Sequence, residues 1–400
     1  MRLTDFIYEF LSLKCIDFIF KMCNNIGMKK IGILGGTFNP VHIEHVMLAK
    51  SAIKELGLDS LLIMPTYLSP HKTALPASAE HRLNMLKIAF KDVKGAIVSD
   101  YEIEKKGKSY TFETVEHFAN QTCEKLYFIT GGDMLTDFKT WKNSERILDS
   151  CTLAVFDREN FYTDYQAESE YFEKTFKKQF VKLSYVGKNA SSTKIRTYAK
   201  LGLSIQGLVP DGVEEYIKQN AVYPPTEDEK FIRENLPLKR VKHTADVVVC
   251  ALQRAKELGL DAEKVRLSAT LHDCAKYLDH EKVEGFVLPD LVPAPVVHAF
   301  LGEYIARTKL GVLDEDVLDA IKYHTSGKAD MTTLGKLIFV ADMVEEGRDY
   351  EGVDKLRELY RSGDFETCFI ECLKEEFIHL INKKRYIYAE TINAFRYYVK

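Results

Sequence analysis

The apolar residues of this 400-residue chain change their period once, and that change limits the fold more than any other feature. From 30 to 160 the short runs KIGIL, SLLIMP, GAIVSD, KLYFIT and CTLAVF alternate with helix-like stretches such as HVMLAKSAIKELG and SAEHRLNMLKIAF. That alternation predicts a parallel α/β sheet. Beyond 226, VKHTADVVVCALQRAKELG, EKVRLSATLHDCAKYL, PVVHAFLGEYIARTK, DEDVLDAIKYH and TTLGKLIFVADMVEEG all place apolar residues at helical spacing, and no segment alternates like a strand. The second half is therefore expected to be all-α. Between the halves lies PPTEDEKFIRENLP, whose three prolines and clustered charges mark a boundary. The expected organisation is an α/β domain over 28–223, a linker with a first helix over 224–238, and a helical domain over 239–400.

Composition narrows the partners. With 55 basic and 59 acidic residues the net charge is -4, and there is no basic stripe. No bulk field draws the chain onto nucleic acid or an anionic membrane, so an anionic ligand must be held by a local site. Eight cysteines without a CxxC read as reduced thiols of a cytoplasmic protein. In residues 1–27 the charges Asp5, Glu9, Lys14 and Asp17 interrupt every apolar run before it reaches signal or membrane length. Met28 directly precedes KKIGILGG, and we expect 1–27 to be an extension without a role in the fold.

Sheets of this kind bind ligands at the carboxyl ends of their strands, and GGTFNP, MPTYLSPHK and ITGGD all follow strand-like runs. They are expected to share one crevice. Gly35 and Gly36 allow a tight turn and a close approach of backbone N–H groups to an anion at the next helix start. His42 and His45, three apart, would share one face of that turn, where two imidazoles can neutralise charge on a reacting phosphorus. In NASSTKIRTYAKLG, the groups of Ser191, Ser192 and Thr193 with Arg196 one turn in make either a second phosphate cradle or a plain helix cap. Two cradles in one domain favour a nucleotide.

GGTFNPVHIEH together with SSTKIR resembles the signature pair of the nucleotidyltransferase superfamily. PTYLSPHK, EHRLNML, SYTFET, GGDML, WKNSERIL and LVPDGVEEYIKQNAVY narrow the resemblance to bacterial nicotinate-nucleotide adenylyltransferases, across nearly all of 28–223. The resemblance implies a Rossmann-like domain that uses ATP, with its Mg2+, and nicotinate mononucleotide. It further implies that His42, His45, Lys72 and Arg196 are catalytic, and that Gly35, Gly36, Thr37, Phe38, Ser191, Ser192, Thr193 and Asp133 bind ATP. Thr111 and Trp141 would meet the nicotinate ring; a core role competes for Trp141, the only tryptophan. Two positions depart from the pattern. Glu44 replaces the usual glycine between the histidines and is expected to point outward, and Lys142 stands where an aromatic often follows the tryptophan. The acceptor alternatives are nicotinamide mononucleotide and pantetheine phosphate.

In the helical half His243, His272 with Asp273, His298, His324 and Asp342 interrupt apolar faces, with each histidine on a different predicted helix. Imidazole and carboxylate together suit iron, manganese or zinc, and so many buried polar groups need a shared partner. The order H…HD…H…H…D resembles the dinuclear HD-domain phosphohydrolases. LHDCAKYL and DAIKYHTSGKADMTTLGKLIFVADMVEEGR narrow this to bacterial HD proteins that cleave diadenosine tetraphosphate to two ADP. That resemblance implies a dinuclear centre, iron first, in which His243, His272, Asp273 and Asp342 hold one ion and His298 and His324 complete the second, with Asp273 bridging. Lys276, Thr325, Lys328 and Arg348 would bind the remaining phosphates, or serve as solvated helix charges and caps. A regulatory module that senses a nucleotide without turnover is the alternative for this half, and another nucleotide is the alternative substrate. A homo-oligomer is left open.

Overall fold

The computed structural model describes residues 30–68, 76–120, 125–159, 162–188 and 191–399. They divide into two compact units, one running to Ile195 and including Ile205–Tyr223, the other made of Arg196–Ser204 and the chain from Pro224. The expected extension 1–27 lies outside the described residues, as does Lys72.

The first unit runs β1 (Ile31–Gly36), α1 (Ile43–Leu56), β2 (Ser60–Pro65), α2 (Ala79–Phe90), β3 (Ala96–Val98), α3 (Tyr101–Lys105), α4 (Thr111–Ala119), β4 (Leu126–Gly131), α5 (Asp133–Phe138), α6 (Ser144–Ser150), β5 (Thr152–Arg158), α7 (Tyr165–Phe176) and β6 (Val181–Gly187). Helix α8 (Ser192–Lys200) follows, with Ser192–Ile195 in this unit and the rest in the other, then α9 (Val213–Gln219). The strands form one sheet in the order β3-β2-β1-β4-β5-β6, and every pairing is parallel. This is the doubly wound order, whose direction reverses between β1 and β4 and opens a crevice at their carboxyl ends. Central strands are buried on both faces: Ile33, Leu61, Ile63, Leu153 and Val155 are fully enclosed. Each such side chain contributes about 1.5–3 kcal/mol of burial. Helix α1 covers the sheet with Val46, Leu48, Ala49, Ala52 and Leu56, a stripe at helical spacing, and ends at Gly57 in the left-handed region.

β6 was not expected from the sequence. VKLSYVG buries only Leu183 and Gly187, because it is an edge strand with one wet face and so lacks a continuous apolar run. Two acidic residues of α1 hold it instead. Glu55 accepts from the Ser184 N–H at 2.7 Å, and Glu44 accepts from the Lys188 N–H at 2.8 Å.

The second unit is all-helical among its described residues, as its periodicity predicts: α10 (Glu227–Asn235), α11 (Leu238–Ala255), α12 (Ala262–Leu271), α13 (Ala294–Thr308), α14 (Glu315–Tyr323), α15 (Thr333–Val344), α16 (Val353–Ser362), α17 (Phe365–Asn382) and α18 (Ala389–Tyr398). Asp261, Asp314, Thr332 and Asp364 cap four of these helices with side-chain oxygens on first-turn N–H groups. Each cap is worth about 1 kcal/mol. Among the described residues no helix is long and apolar enough to cross a membrane.

Candidate active sites

In the first unit the turn after β1 carries the imidazoles. His42 is the N-cap of α1 and His45 lies one turn in; their rings stack with centroids 3.6 Å apart. The His42 backbone N–H donates to His45 Nδ1 at 3.1 Å, so a neutral His45 carries its proton on Nε2. Phe38, itself in the left-handed region, sets its ring edge-on to His45 at 4.9 Å. Burial pulls the His42 pKa down to about 4, opposed by the nearby Glu44 and assisted by Arg158. His45 is held well below the usual range by burial first, then by His42 and Arg158. Both imidazoles are therefore neutral at pH 7, and the His42 Nδ1 is buried without a hydrogen-bond partner among the described residues.

A cavity of about 280 Å³ joins these histidines to Glu44, Arg158, Tyr185, Lys188 and Ser192. The start of α8 thus reaches the turn after β1. The Ser192 hydroxyl donates to the Pro40 carbonyl at 3.1 Å. Ser191 Oγ accepts from Thr193 N–H at 3.2 Å and Lys194 N–H at 3.5 Å, so Ser191 caps its helix. Arg196 is half-buried on α8 and does not line the cavity. Asp133 opens α5 beyond β4, with Arg158 Nη1 at 3.5 Å from Oδ2, while its Oδ1 is buried and has no hydrogen-bond partner among the described residues. A Cβ on Gly131 would collide with that oxygen, so a side chain there would displace the Asp133 carboxylate.

Glu44 departs from the outward placement expected of it. It lines the cavity, because the Tyr185 hydroxyl donates to Oε2 at 2.5 Å alongside the Lys188 N–H. Sequence reasoning passed over Arg158, Lys188 and Tyr185. The signal was positional: Arg158 ends β5 at the carboxyl edge of the sheet. It also passed over Arg82 in EHRLNML. This guanidinium is 1 % exposed and donates to the carbonyls of Thr37, Thr66 and Tyr67 at 2.7–3.1 Å. Arg82 therefore ties the loops after β1 and β2 to each other.

Thr111 begins α4, and Trp141 follows α5. Lys142 Nζ lies 4.2 Å over the ring of Tyr110, which sets these two segments side by side. Trp141 is half-buried, its ring 5.3 Å from Phe138 and 6.2 Å from Phe128. It leans on the core while keeping part of its surface open.

In the second unit five helices bring their polar residues to one centre. His243 comes from α11, His272 and Asp273 from the end of α12, His298 from α13, His324 from the end of α14 and Asp342 from α15. Asp273 divides its carboxylate between two groups. Oδ2 lies 3.8 Å from both His243 and His272 Nε2, and Oδ1 lies 3.0 Å from His298 and 3.5 Å from His324 Nε2. Asp342 Oδ1 lies 3.0 Å from His243 Nε2 and 4.0 Å from His272 Nε2, closing the first group.

These residues fit a pair of ions. His272 Nδ1 donates to the Ala269 carbonyl at 2.7 Å and His324 Nδ1 to the Ile321 carbonyl at 2.8 Å, which leaves Nε2 of each ring with a lone pair. His243 Nδ1 is held by Glu345 at 3.0 Å. Facing Nε2 atoms lie 3.4 Å apart in His243–His272 and 3.3 Å apart in His298–His324. Lone pairs so close repel unless a proton or a metal cation lies between them. Burial depresses the pKa of His272 to about 3 and of His298 to about 4, which keeps both in the ligating form. Three groups of donors each gather within 4.8 Å: His243, His272 and Asp273; His272, His324 and Asp342; Asp273, His298 and His324. This nitrogen and oxygen set suits iron, manganese or zinc.

Around the centre Lys276 Nζ lies 3.0 Å from His298 Nε2, and Thr325 Oγ1 lies 2.9 Å from His324 Nε2. Arg348 pairs with Asp342. Lys328 is engaged elsewhere, with Asp319 at 2.8 Å. Glu345 and Arg240 are additions that the sequence did not single out. Arg240 donates to Asp273 Oδ2 at 2.8 Å. It lies one turn before His243 on the same helix face, the one cue available.

A cytidylyltransferase-like family model matches residues 33–198, and an HD-domain model matches 240–347. A Mycoplasma genitalium protein named "Probable nicotinate-nucleotide adenylyltransferase/Ap4A hydrolase" is 30% identical over 81% of this chain and 89% of its own length. A Clostridium botulinum "Probable nicotinate-nucleotide adenylyltransferase" is 41% identical over 49% of this chain and 98% of its own. Among solved structures, a "predicted HD superfamily hydrolase involved in NAD metabolism" from Clostridium acetobutylicum is 32% identical, covering 42% of this chain and 94% of that one at a TM-score of 0.38. The chain is an enzyme and belongs to the nicotinate-nucleotide adenylyltransferase family, in the form whose nucleotidyltransferase domain is followed by an HD phosphohydrolase domain.

Proposed function

We propose that the first unit transfers the adenylyl group of ATP to nicotinate mononucleotide, giving deamido-NAD and pyrophosphate, and that the second cleaves diadenosine tetraphosphate to two ADP. The names of the relatives support both substrates. The observation that carries the first reading is the stacked, neutral pair His42–His45 in one cavity with Arg158, Lys188 and Ser192.

In the first reaction the 5′-phosphate of the acceptor attacks the α-phosphorus of ATP in line and pyrophosphate leaves. A phosphate monoester is already nucleophilic at neutral pH, so the protein has no proton to remove and acts by positioning and charge stabilisation. His45 offers an Nε2–H donor. Arg158 and Lys188 supply the positive charge that neutral imidazoles lack. Mg2+ arrives with the triphosphate, held largely by phosphate oxygens and water.

For the second reaction the carrying observation is the divided carboxylate of Asp273. Bound iron, manganese or zinc would supply a Lewis acid and activate water near neutral pH. His243, His272, Asp273 and Asp342 would hold one ion, with His298, His324 and the other Asp273 oxygen holding the second. Lys276 and Thr325 stand at the rim, where polyphosphate charge needs neutralising.

Mass spectrometry of products tests both. ATP with nicotinate mononucleotide should give deamido-NAD, and diadenosine tetraphosphate with iron or manganese should give ADP alone. Preferential use of nicotinamide mononucleotide or pantetheine phosphate would overturn the acceptor, and AMP with ATP as products would overturn symmetrical cleavage.

A further inference from the structure

Beyond residue 347, where the HD-domain match ends, the chain adds α16, α17 and α18, and the last two help to close a cavity of about 200 Å³. One wall is Thr325, whose Oγ1 lies 2.9 Å from His324 Nε2 and 3.3 Å from His298 Nε2, so the cavity borders the Asp273 centre. Its other walls include Glu376 and His379 of α17 and Arg385, Tyr386 and Tyr388 of the following turn. Burial pushes the Glu376 carboxyl above the usual carboxylate range, opposed by His379 and Arg348 and assisted by Asp342.

Among the described residues none of these five side chains makes a hydrogen bond or an ion pair. The Tyr388 ring packs edge-on against Phe300 at 6.2 Å, but the polar atoms of this carboxyl, imidazole, guanidinium and two phenols are available to a ligand. The volume falls below the ~300–1,000 Å³ of sites for larger ligands. It has room for one nucleoside and not for two. Tyrosine rings, an imidazole and a guanidinium are the planar groups on which a base stacks, and a carboxylate accepts from an exocyclic amine.

We propose that this cavity is the nucleoside subsite of the helical unit, taking the purine and sugar of a nucleotide whose phosphates lie at the Asp273 centre. The Tyr386 and Tyr388 rings flank the base and Glu376 accepts from its amine. Base selection is thereby separated from phosphate chemistry: the metal-ligand helices handle phosphates, and the two terminal helices handle the base. The inference rests on the phosphohydrolase reading above, but its test does not depend on turnover.

The test is calorimetric titration of ADP into the full chain and into Glu376→Gln, Arg385→Ala and Tyr386→Ala, with ribose 5-phosphate as the base-free probe. Tyr386 is 62 % exposed, so its truncation leaves the helical core intact. The wild-type chain should bind ADP at two sites, one of them the adenylyl-transfer site. Each variant should weaken one event by at least about tenfold, leaving ribose 5-phosphate binding and adenylyl transfer unchanged. A single ADP event in the wild type, or two events that survive in all three variants, overturns the subsite. Loss of the event in the variants, in a chain that hydrolyses nothing, supports the subsite and overturns the hydrolase reading alone.

Discussion

The Tyr185 hydroxyl donates to the Glu44 carboxylate at 2.5 Å across 141 residues of chain, and this pair sets a negative charge in the wall of the cavity that holds His42 and His45. Glu44→Gln keeps an acceptor for Tyr185 and removes the charge. Steady-state kinetics should show the KM for ATP falling about fivefold, equivalent to about 1 kcal/mol for one charge in a partly exposed site. An unchanged or raised KM would mean that the carboxylate does not face the phosphates.

His42 titrates at about 4 in the folded chain, against 6.5 for an unperturbed histidine. Between those values the unfolded chain takes up the proton and the folded chain does not. Its contribution to stability is complete above pH 6.5 and is lost as pH falls toward 4, by on the order of 3 kcal/mol. His45 acts in the same direction. Denaturant melts of the wild type and His42→Asn across pH 4–7 check this: the variant should have the shallower acid-side loss, and identical slopes would refute the neutral, buried imidazole.

Asp273 serves both groups of imidazoles, so its removal should affect two ions at once. Asp273→Ala is expected to lose bound iron or manganese by elemental analysis and to stop cleaving diadenosine tetraphosphate, with adenylyl transfer within about twofold of wild type. Full metal content in the variant would rule out the bridging role.

Arg82 holds three backbone carbonyls in the loops after β1 and β2. Arg82→Met leaves them without their donor and should destabilise the first unit by about 3 kcal/mol, with a higher KM for ATP. Chemical denaturation measures the first effect, and an unaltered midpoint would show that the staple contributes nothing.

Trp141 is the only tryptophan, so its fluorescence reports on one place. Nicotinate mononucleotide should quench it and diadenosine tetraphosphate should not. No quenching at saturating acceptor would reduce Trp141 to the packing role it plays against Phe138 and Phe128.

The central strands were legible because burial on both faces forces a continuous apolar run: SLLIMP is β2 to the residue. The edge strand β6 was not, because half its side chains face water. The centre of the helical unit was legible as polar residues interrupting apolar helix faces, since each departure from a 3.6-residue pattern is visible locally. Its supporting groups were hidden, as Glu345 and Arg240 look like ordinary charges on helical surfaces until they are seen against His243 and Asp273.

The order of residues by itself indicated the two-part architecture, the central strands and the polar residues that interrupt apolar helix faces, because periodicity and motif spacing are local properties of a chain. Tertiary structure alone decided that the two oxygens of Asp273 face different imidazoles, that Glu44 turns into the cavity, and that Arg82 joins two loops. Each of those relationships depends on the relative position of segments far apart in sequence, and such distances are set by packing rather than by any local preference.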